Sequence, residues 1–428
     1  MTISQLDAAV VTRQTLAASL FDTMATATAE SGGPGVTRES YSPRETLAHD
    51  LIAKTGAALG LEVAQDFAAN TYVTLAGTDR SAAPIVIGSH LDSVQNGGNF
   101  DGYAGVVAGM VALAAMTDSR WRPTRDIRVM GIRAEESAWF GVSYIGSRSA
   151  LGQLPDGALE TATRADTGRT LADHMRDCGG DPDAIAANKI YLDPAHVHAY
   201  LELHIEQGPV LHNEKIPVGI VTGIRGNFRC PDAHVSGEYS HCGGVPRAYR
   251  RDAVMAASEF VSGLDALWTA SEDNGQDMAV TVGKFFTDSD THAMTKISGD
   301  VRFSLDVRTL DPTFLAKLET QVIDLAADIA KRRDISFDLG SITHAQVGVI
   351  DPSIQAALTD GATVLDIPAR AIASGAAHDA AAFAAAGVPT AMIFIRNDKG
   401  SHNPDEAMEL DDFMQGTRIL TRWLAQNA

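Results

Sequence analysis

The chain contains few cysteines, and it has no long apolar run. Only three of its 428 residues are cysteine: Cys178, Cys230 and Cys242. An odd and sparse set without close pairing argues against a disulfide framework. No apolar run approaches the roughly 20 residues that span a bilayer. These absences predict a cytoplasmic protein without a membrane segment.

Positive charge is also scarce. Lys and Arg total 34 against 54 Asp and Glu, and the formal net charge is −20. An excess of negative charge disfavours nucleic acid and anionic membranes as partners. Segment 1–30 has no basic region followed by an apolar stretch and a cleavage site. It is interpreted as an amphipathic helix and not as a signal peptide.

The apolar patterning predicts an α/β domain built on a mostly parallel central sheet. Segments 83–92, 126–137 and 199–210 are typical of strands, and 103–117 is typical of a buried helix. Strand, helix and strand at this spacing favour an α/β unit. In such sheets, ligands collect beyond the carboxyl ends of the strands.

The pattern changes near residue 213. From there the order β-α-β-β-α-β predicts a smaller α+β domain, ferredoxin-like, with an antiparallel sheet. A chain of 428 residues also exceeds the usual size of a single core. The sequence therefore predicts a catalytic metal-binding domain at 1–212 and 335–428. It predicts an inserted lid and dimerisation domain at 213–334.

His90 and Asp92 form an H-x-D pair at the end of a predicted strand. Residues two apart on a strand face the same side. His90 could then bind a metal while Asp92 accepts the remaining N–H of its ring. The alternative is a turn histidine capped by an aspartate.

Carboxylates follow at two further places. Asp101 lies in the glycine-rich NGGNFDGYAG, and glycines allow positive φ and close approach of the backbone. Glu135 and Glu136 end another apolar strand, where one could bind a metal while the other moves protons. Taken singly, each also fits a solvated acidic residue.

Two more histidines follow apolar strands: His204 in ELHIEQGP and His402 in GSHNPDE. Each alone also fits a structural role. Together with His90, Asp101 and Glu136, however, they all map to strand ends or adjoining loops. Two histidine/carboxylate sites that share one aspartate would suit two zinc ions, or manganese, cobalt or nickel. The absence of Cys from this set argues against a structural thiolate site.

Seven ordered blocks resemble the dinuclear-metal amidohydrolases of the M20 peptidase superfamily. The most similar group comprises N-carbamoyl-L-amino-acid hydrolase, β-ureidopropionase and allantoate amidohydrolase. Their order and spacing are far more specific than any one block. The blocks are GSHLDSVQNGGNFDGYAGVVAG, RAEESAWFGVSYIGSR, ELHIEQGP, SHCGGVPRAYRRDA, FSLDVR, SGAAHDAAAF and SHNPDE.

The resemblance implies how two metal ions would be held in each subunit. His90, Asp101 and His204 would hold one ion. Asp101, Glu136 and His402 would hold the other, with Asp101 as the bridge.

The resemblance also implies catalytic and substrate-binding roles. Glu135 would be the general base that activates the attacking water. His241, contributed by a second subunit of a homodimer, would steady the developing oxyanion. The implied substrate-side residues are Gln207, Asn227, Thr295, Arg308 and His378. Among them, the arginine suits a substrate carboxylate because its planar fork donates two hydrogen bonds.

The sequence departs from the family pattern near the substrate. Thr295 stands where the family usually has an asparagine, thirteen residues before Arg308. Trp139 stands where an arginine is common, and HCGGVP replaces the usual HAGTTP. None of these departures touches an implied metal ligand.

The function implied by the resemblance is hydrolysis of a ureido or amide C–N bond in a small carboxylate substrate. The products of a carbamoyl substrate would be an amino acid, ammonia and carbon dioxide. One alternative is an N-acyl-amino-acid amidohydrolase or a dipeptidase with the same two-metal site. Another is a metal-stabilised binding protein without turnover, but a structural site needs no general base.

Overall fold

The computed structural model describes residues 2–31 and 33–428, which form a mixed α/β protein. Among these residues, no helix is both long and apolar enough to cross a bilayer. In chain order, the strands are β1 (Glu62–Gln65), β2 (Thr71–Leu75), β3 (Ile85–His90), β4 (Ile127–Ile132), β5 (Ala199–Ile205), β6 (Val218–Ile224), β7 (Gly226–Ser236), β8 (Ser240–His241), β9 (Ala279–Thr281), β10 (Phe285–Phe286), β11 (Lys296–Ile297), β12 (Asp300–Thr309), β13 (Ser336–Asp338), β14 (Thr343–Ala345), β15 (Ala369–Ser374), β16 (Thr390–Ile395), β17 (Asn397–Asp398) and β18 (Ala407–Met408).

Helices alternate with these strands along much of the chain, and short 3-10 helices occur at Pro194–His196 and Arg247–Tyr249. The α-helices are α1 (Ile3–Val11), α2 (Gln14–Ala27), α3 (Pro43–Ala58), α4 (Tyr103–Asp118), α5 (Ser137–Phe140), α6 (Ile145–Ala150), α7 (Ala158–Thr161), α8 (Leu171–Asp177), α9 (Pro182–Ala186), α10 (Val210–Glu214), α11 (Ala253–Asp273), α12 (Pro312–Arg333), α13 (Pro352–Val364), α14 (Asp379–Ala385) and α15 (Leu410–Asn427).

The backbone forms two compact units. One unit runs to Thr222 and resumes at Val349, and the other is Gly223–Gly348. The sequence analysis begins the inserted domain near residue 213. In the structure, however, β6 pairs with β16 in the sheet of the first unit. The apolar run of β6 is buried at all but one position, which explains its place in that sheet.

The first unit is built on an eight-stranded sheet in the order β1-β2-β4-β3-β5-β16-β6-β15. Its four central strands, β4, β3, β5 and β16, run parallel. Strands β1, β2 and β6 pair antiparallel with their neighbours. Every residue of β3, β5 and β16 is buried, as expected for strands covered on both faces. The predicted α/β fold with a large, mostly parallel sheet is therefore confirmed in its coarse form.

Helix α4 lies directly on this sheet and is buried along nearly its whole length. A small residue makes the close packing possible, because a Cβ atom at Gly105 would lie only 2.3 Å from the carbonyl oxygen of Leu203 in β5. The amino-terminal end of α4 is thereby held close to the strands. The loop before it, which carries Asp101, is fixed at the same edge of the sheet.

The second unit contains a six-stranded sheet with β12 and β7 at its centre. Strands β10 and β9 pair with β12, while β13 and β14 pair with β7, all antiparallel. One apolar core joins the sheet to α11 and α12, and it includes Phe228, Phe260, Phe303 and Leu318. Each helix starts at an aspartate N-cap whose side chain accepts a backbone N–H of the first turn.

A buried ion pair holds the end of β4 in the first unit. The Arg133 guanidinium lies 2.7 Å from the Glu45 carboxylate, and both side chains are at most 1% exposed. The same carboxylate accepts the backbone N–H groups of Tyr41 and Ala134. Burial raises the pKa of Glu45 to about 7. Since Ala134 precedes Glu135, this pair also fixes the backbone that carries the candidate base.

We expect Glu45→Gln to lower the free energy of unfolding of the protein by about 3–5 kcal/mol, because it leaves Arg133 buried without a counter-charge. Urea denaturation measures the change. The matched control is Glu62→Gln, whose partner Arg80 is half exposed. Breaking that surface pair should cost less than about 1 kcal/mol. Equal effects of the two substitutions would contradict a structural role for the buried pair.

Candidate metal centre

The carboxyl ends of the central strands bring the candidate ligands together. His90 is the last residue of β3 and pairs in register with Ile132, the last residue of β4. Glu135 follows β4 after two intervening residues, and His204 is the penultimate residue of β5. Because these strands are parallel neighbours, their carboxyl ends meet at one edge of the sheet.

Asp101 lies at the centre of this group, among three histidines. Its Oδ1 atom is 3.1 Å from Nε2 of His204 and 3.7 Å from Nε2 of His90. Its Oδ2 atom is 3.2 Å from Nε2 of His402, which in turn lies 3.2 Å from Oε1 of Glu136. The structure therefore brings all five residues that the sequence predicts as metal ligands into one cluster.

The other ring nitrogens of two histidines are held by oxygen atoms. Nδ1 of His90 lies 3.1 Å from the carbonyl oxygen of Asp92 and 3.4 Å from its Oδ1. Nδ1 of His204 lies 2.9 Å from the carbonyl oxygen of Ile205. A carbonyl oxygen only accepts, so each Nδ1–H donates, and in the neutral ring Nε2 carries the lone pair. Both Nε2 atoms lie beside Asp101, and the backbone N–H of Gly102 also lies 3.1 Å from Nε2 of His204.

Asp92 connects the two strand ends. Besides contacting His90, its carboxylate accepts the backbone N–H groups of Glu135 and Glu136, each at 3.1 Å, and the hydroxyl of Ser40 at 2.6 Å. Asp92 is completely buried. It therefore orients the backbone of both glutamates as well as the imidazole that the H-x-D spacing predicted.

Gly102 allows the loop to approach His90. It has a positive φ of 66°, and a Cβ atom at this position would lie 2.4 Å from the His90 ring. Any side chain would therefore displace either the ring or the loop. This geometry accounts for one of the glycines that surround Asp101 in the sequence.

The surroundings of two carboxylates in the cluster shift their pKa values in opposite directions. Burial would raise the pKa of Asp101, but hydrogen bonds with His204, His402 and His90 outweigh it and hold that pKa well below its usual range. Burial, followed by repulsion from Glu136, raises the pKa of Glu135 well above its usual range. Glu135 thus has a higher affinity for a proton than Asp101, as a general base requires.

The donor set suits divalent metal ions. Two groups that share Asp101 could each hold an ion: His90 with Asp101 and His204, and Asp101 with Glu136 and His402. In the first group, the Nε2 atoms of His90 and His204 lie beside a carboxylate oxygen of Asp101. When the rings are neutral, such a contact between lone pairs is favourable only if a proton or a cation lies between the atoms. Imidazole and carboxylate ligands without thiolate match zinc, manganese, cobalt or nickel.

Gln207 and His378, predicted on the substrate side, lie close to this cluster in the first unit. The Gln207 amide donates to both carboxylate oxygens of Asp101, at 3.1 and 3.0 Å. The His378 ring centre lies 4.3 Å from that of His204, and its Nε2 atom lies 3.1 Å from the hydroxyl oxygen of Ser374. Burial, with the nearby His204, lowers the pKa of His378 well below its usual range, so its imidazole is neutral.

The second unit holds the other predicted site residues. Asn227 and Arg308 pair in register on β7 and β12, and Asn227 is buried. The Arg308 guanidinium donates to both oxygens of Asp306, at 2.8 and 3.0 Å. His241 is exposed, and Thr295 precedes β11, the strand that pairs with β8. Strand pairing within the unit thus brings these residues together as two separate pairs: Asn227 with Arg308, and His241 with Thr295.

The sequence analysis missed Glu406 and Ser401. Glu406 accepts the backbone N–H groups of Phe100 and Asp101, at 2.9 and 3.2 Å, and the Ser401 hydroxyl lies 2.6 Å from its Oε2. Ser401 Oγ is also 2.7 Å from Oδ2 of Asp101. Burial raises the pKa of Glu406 to about 7. The only signal in the sequence was its place in the SHNPDE block beside His402.

Trp139 has a structural contact here. Its indole N–H donates to the carbonyl oxygen of Ser93 at 2.8 Å, and its side chain is 8% exposed. It packs in a small apolar cluster with Tyr41, Phe140 and Ile145. Trp139 therefore extends the core beside Glu136.

Three residues next to the cluster have strained backbones. Ala134, Gln207 and His402 have positive φ values of 54°, 61° and 60°. Such conformations are uncommon for residues other than glycine, and they tend to occur at functional sites. The hydrogen bonds of Glu45 to Ala134 and of Asn397 to the Gln207 backbone, at 3.0 Å each, help to maintain two of them.

Comparison with known proteins gives the same family for most of the chain. The model of peptidase family M20/M25/M40 matches residues 86–426. An N-carbamoyl-L-amino acid amidohydrolase from Geobacillus stearothermophilus is 35% identical over 402 residues, covering 92% of this chain and 94% of that protein. An allantoate amidohydrolase from Escherichia coli (strain K12) is 31% identical over 395 residues, covering 92% and 93%.

A solved structure is similar over almost the whole chain. The crystal structure of an amidase of the hydantoinase/carbamoylase family from Burkholderia multivorans aligns with a TM-score of 0.86 and 28% identity. The alignment covers 97% of this chain and 98% of that one. The chain belongs to peptidase family M20/M25/M40, and the resemblance stated from its sequence blocks is confirmed.

We expect Asp101→Asn to reduce bound divalent metal from about two ions per chain to fewer than one, because both ligand groups lose their shared anionic oxygens. Elemental analysis of the purified protein measures this. The control is Asp405→Asn, an exposed aspartate in the loop of His402, which should leave the metal content unchanged. Full metal content in Asp101→Asn would exclude a bridging role.

Proposed function

We propose that this protein hydrolyses the C–N bond of an N-carbamoyl amino acid or of an allantoate-like ureido acid. The protein is a hydrolase of C–N bonds other than peptide bonds. The observation that carries the proposal is Glu135, a nearly buried carboxyl with a raised pKa beside two ligand groups that share Asp101. The named activities of the relatives, on carbamoyl amino acids and allantoate, agree with it.

In this proposal, His90, Asp101 and His204 hold one metal ion, and Asp101, Glu136 and His402 hold the other. Zinc suits these ligands best, and manganese, cobalt and nickel are the alternatives. When bound, such a pair lowers the pKa of water and polarises the scissile carbonyl.

The remaining chemistry belongs to side chains of this chain. Glu135 takes a proton from the attacking water and returns it to the leaving nitrogen as the C–N bond breaks. His241 of a second subunit donates a hydrogen bond to the oxyanion that develops on the carbonyl oxygen. For a carbamoyl substrate, one water is consumed, and the amino acid, ammonia and carbon dioxide are released.

The substrate-side residues give the proposed specificity. Arg308 pairs with the substrate carboxylate through its two-pronged guanidinium. Gln207, His378 and Asn227 supply further polar contacts. Thr295 offers a hydroxyl where the family resemblance implies an asparagine amide, and this leaves a second candidate activity, on an N-acyl amino acid or a dipeptide.

The inserted domain, 213–334 in the sequence analysis, is proposed as a ferredoxin-like lid and dimerisation domain. The strand order β13-β7-β12-β10, with α11 and α12 in the same apolar core, supports this topology. A homodimer follows from the role given to His241. Closure of a lid over the substrate would exclude bulk water from the site while the attacking water is retained.

The function is tested by ammonia release from a panel of ureido acids, N-acyl amino acids and dipeptides. We expect turnover of ureido acids to be at least about tenfold faster than that of any N-acyl substrate, and we expect loss of activity after chelation. Restoring zinc, manganese, cobalt or nickel separately identifies the metal. Hydrolysis confined to N-acyl amino acids or dipeptides, detected as free amine without ammonia, would replace the first candidate by the second.

The shared active site is tested by mixing two inactive variants. We expect Glu135→Gln to lose activity with unchanged metal content, and His241→Ala to lose about 10²–10³-fold in kcat. After the two are unfolded and refolded together, mixed dimers contain one intact site, so activity should partly return. Each variant refolded alone is the control. No recovery in the mixture would count against donation of His241 across a dimer.

A further inference from the structure

The turn that follows His241 holds one nitrogen of its imidazole. Nδ1 lies 3.2 Å from the backbone nitrogen of Gly243 and 3.0 Å from that of Gly244. A backbone N–H can only donate a hydrogen bond, so Nδ1 accepts in both contacts. A neutral imidazole whose Nδ1 accepts carries its proton on Nε2.

Both sides of this turn are anchored. On one side, β8 pairs with β11, and the backbone N–H of Cys242 donates to the carbonyl oxygen of Thr295 at 3.0 Å. On the other side, the Arg250 guanidinium donates to the carbonyl oxygens of Val245, at 2.9 Å, and Cys242. The two amide groups are therefore fixed before any ligand arrives.

We propose that the HCGG turn, residues 241–244, is a tautomer lock that keeps His241 as an Nε2–H hydrogen-bond donor. Gly243, Gly244 and Arg250 are positioning residues in this device. The lock itself follows from contacts within the second unit. Only the acceptor of the hydrogen bond, the substrate carbonyl oxygen, rests on the proposed function.

The lock suits an imidazole that must donate rather than accept. If the proton moved to Nδ1, it would face two N–H groups, and both hydrogen bonds would be lost. Two hydrogen bonds of ordinary net strength favour the Nε2–H form about tenfold or more. His241 is exposed, so its free Nε2–H has no competing carbonyl or carboxylate partner in the second unit as the structure describes it.

The device depends on backbone N–H groups and not on the absence of side chains. Neither glycine has a positive φ. A Cβ atom at Gly244 would lie 3.4 Å or more from its nearest neighbours, and one at Gly243 3.6 Å or more. Alanine at either position keeps the N–H and fits, whereas proline removes the N–H. The Gly244→Ala and Gly244→Pro pair therefore isolates the hydrogen bond.

The test is a ¹⁵N spectrum of the histidine-labelled full chain at a pH where imidazoles are neutral. The chain has 13 histidines, and the His241 signals are assigned by their loss in His241→Ala. We expect an Nε2–H signature in the wild type and in Gly244→Ala. In Gly244→Pro the spectrum should shift towards a mixture of tautomers.

A second variant acts through the anchor of the turn. Arg250→Gln should also mix the tautomers, whereas Arg247→Gln, three residues earlier, should not. Removal of Arg247 changes the charge equally, and the structure shows no hydrogen bond from its side chain to the turn among the described residues. An Nδ1–H signature or an even mixture in the wild type would overturn the proposal, as would an unchanged Nε2–H signature in both Gly244→Pro and Arg250→Gln.

Kinetics then separate the lock from the proposed function. On the substrate that the panel identifies, Gly244→Pro should lower kcat about tenfold or more with KM nearly unchanged, Gly244→Ala should lose less because it keeps the N–H, and the control Arg247→Gln should retain wild-type kcat. A locked tautomer in an enzyme that hydrolyses none of the panel would leave the lock standing and refute the proposed function. Turnover of ureido acids by a wild type with the His241 proton on Nδ1 would support the proposed function and refute the lock.

Discussion

The burial of four carboxylates at the ends of two parallel strands is the constraint on which the first unit depends. Asp92, Asp101, Glu135 and Glu136 are each at most 9% exposed and lie within one cluster. Like charges so close together are unfavourable unless cations, protons or N–H groups compensate them. Backbone amides compensate Asp92, and three histidines surround Asp101. The negative charge of Glu135 is compensated least, and its pKa is raised for that reason.

Much of the cluster was predictable because strand periodicity and parallel pairing are local properties. The alternation of His90 and Asp92, and the position of His204 in an apolar strand, fix which side chains reach the carboxyl edge. The order of the sequence blocks then identified Glu136 and His402 as companions. The parallel centre of the sheet followed from the uninterrupted apolar character of its strands.

What escaped prediction depends on contacts between distant segments. Glu406 bonds to the backbone of Asp101 across 305 residues, and no local pattern indicates such a pairing. The contact of Gln207 with Asp101 is equally non-local. The place of β6 was also missed, because an apolar strand at the junction of two units fits either sheet until its partner is known.

Three histidines show how hydrogen bonds at one ring nitrogen determine the use of the other. Nδ1 of His90 and of His204 donates to carbonyl oxygens, so in the neutral ring each Nε2 offers a lone pair, which the proposed function gives to a cation. Nδ1 of His241 instead accepts two backbone N–H groups, so its neutral ring carries the proton on Nε2, which the proposed function gives to an anionic oxygen. In the proposed function, the same type of side chain thus serves opposite charges. Main-chain groups determine which nitrogen of each ring carries the proton. A substitution of a neighbouring residue leaves these groups in place unless it introduces proline.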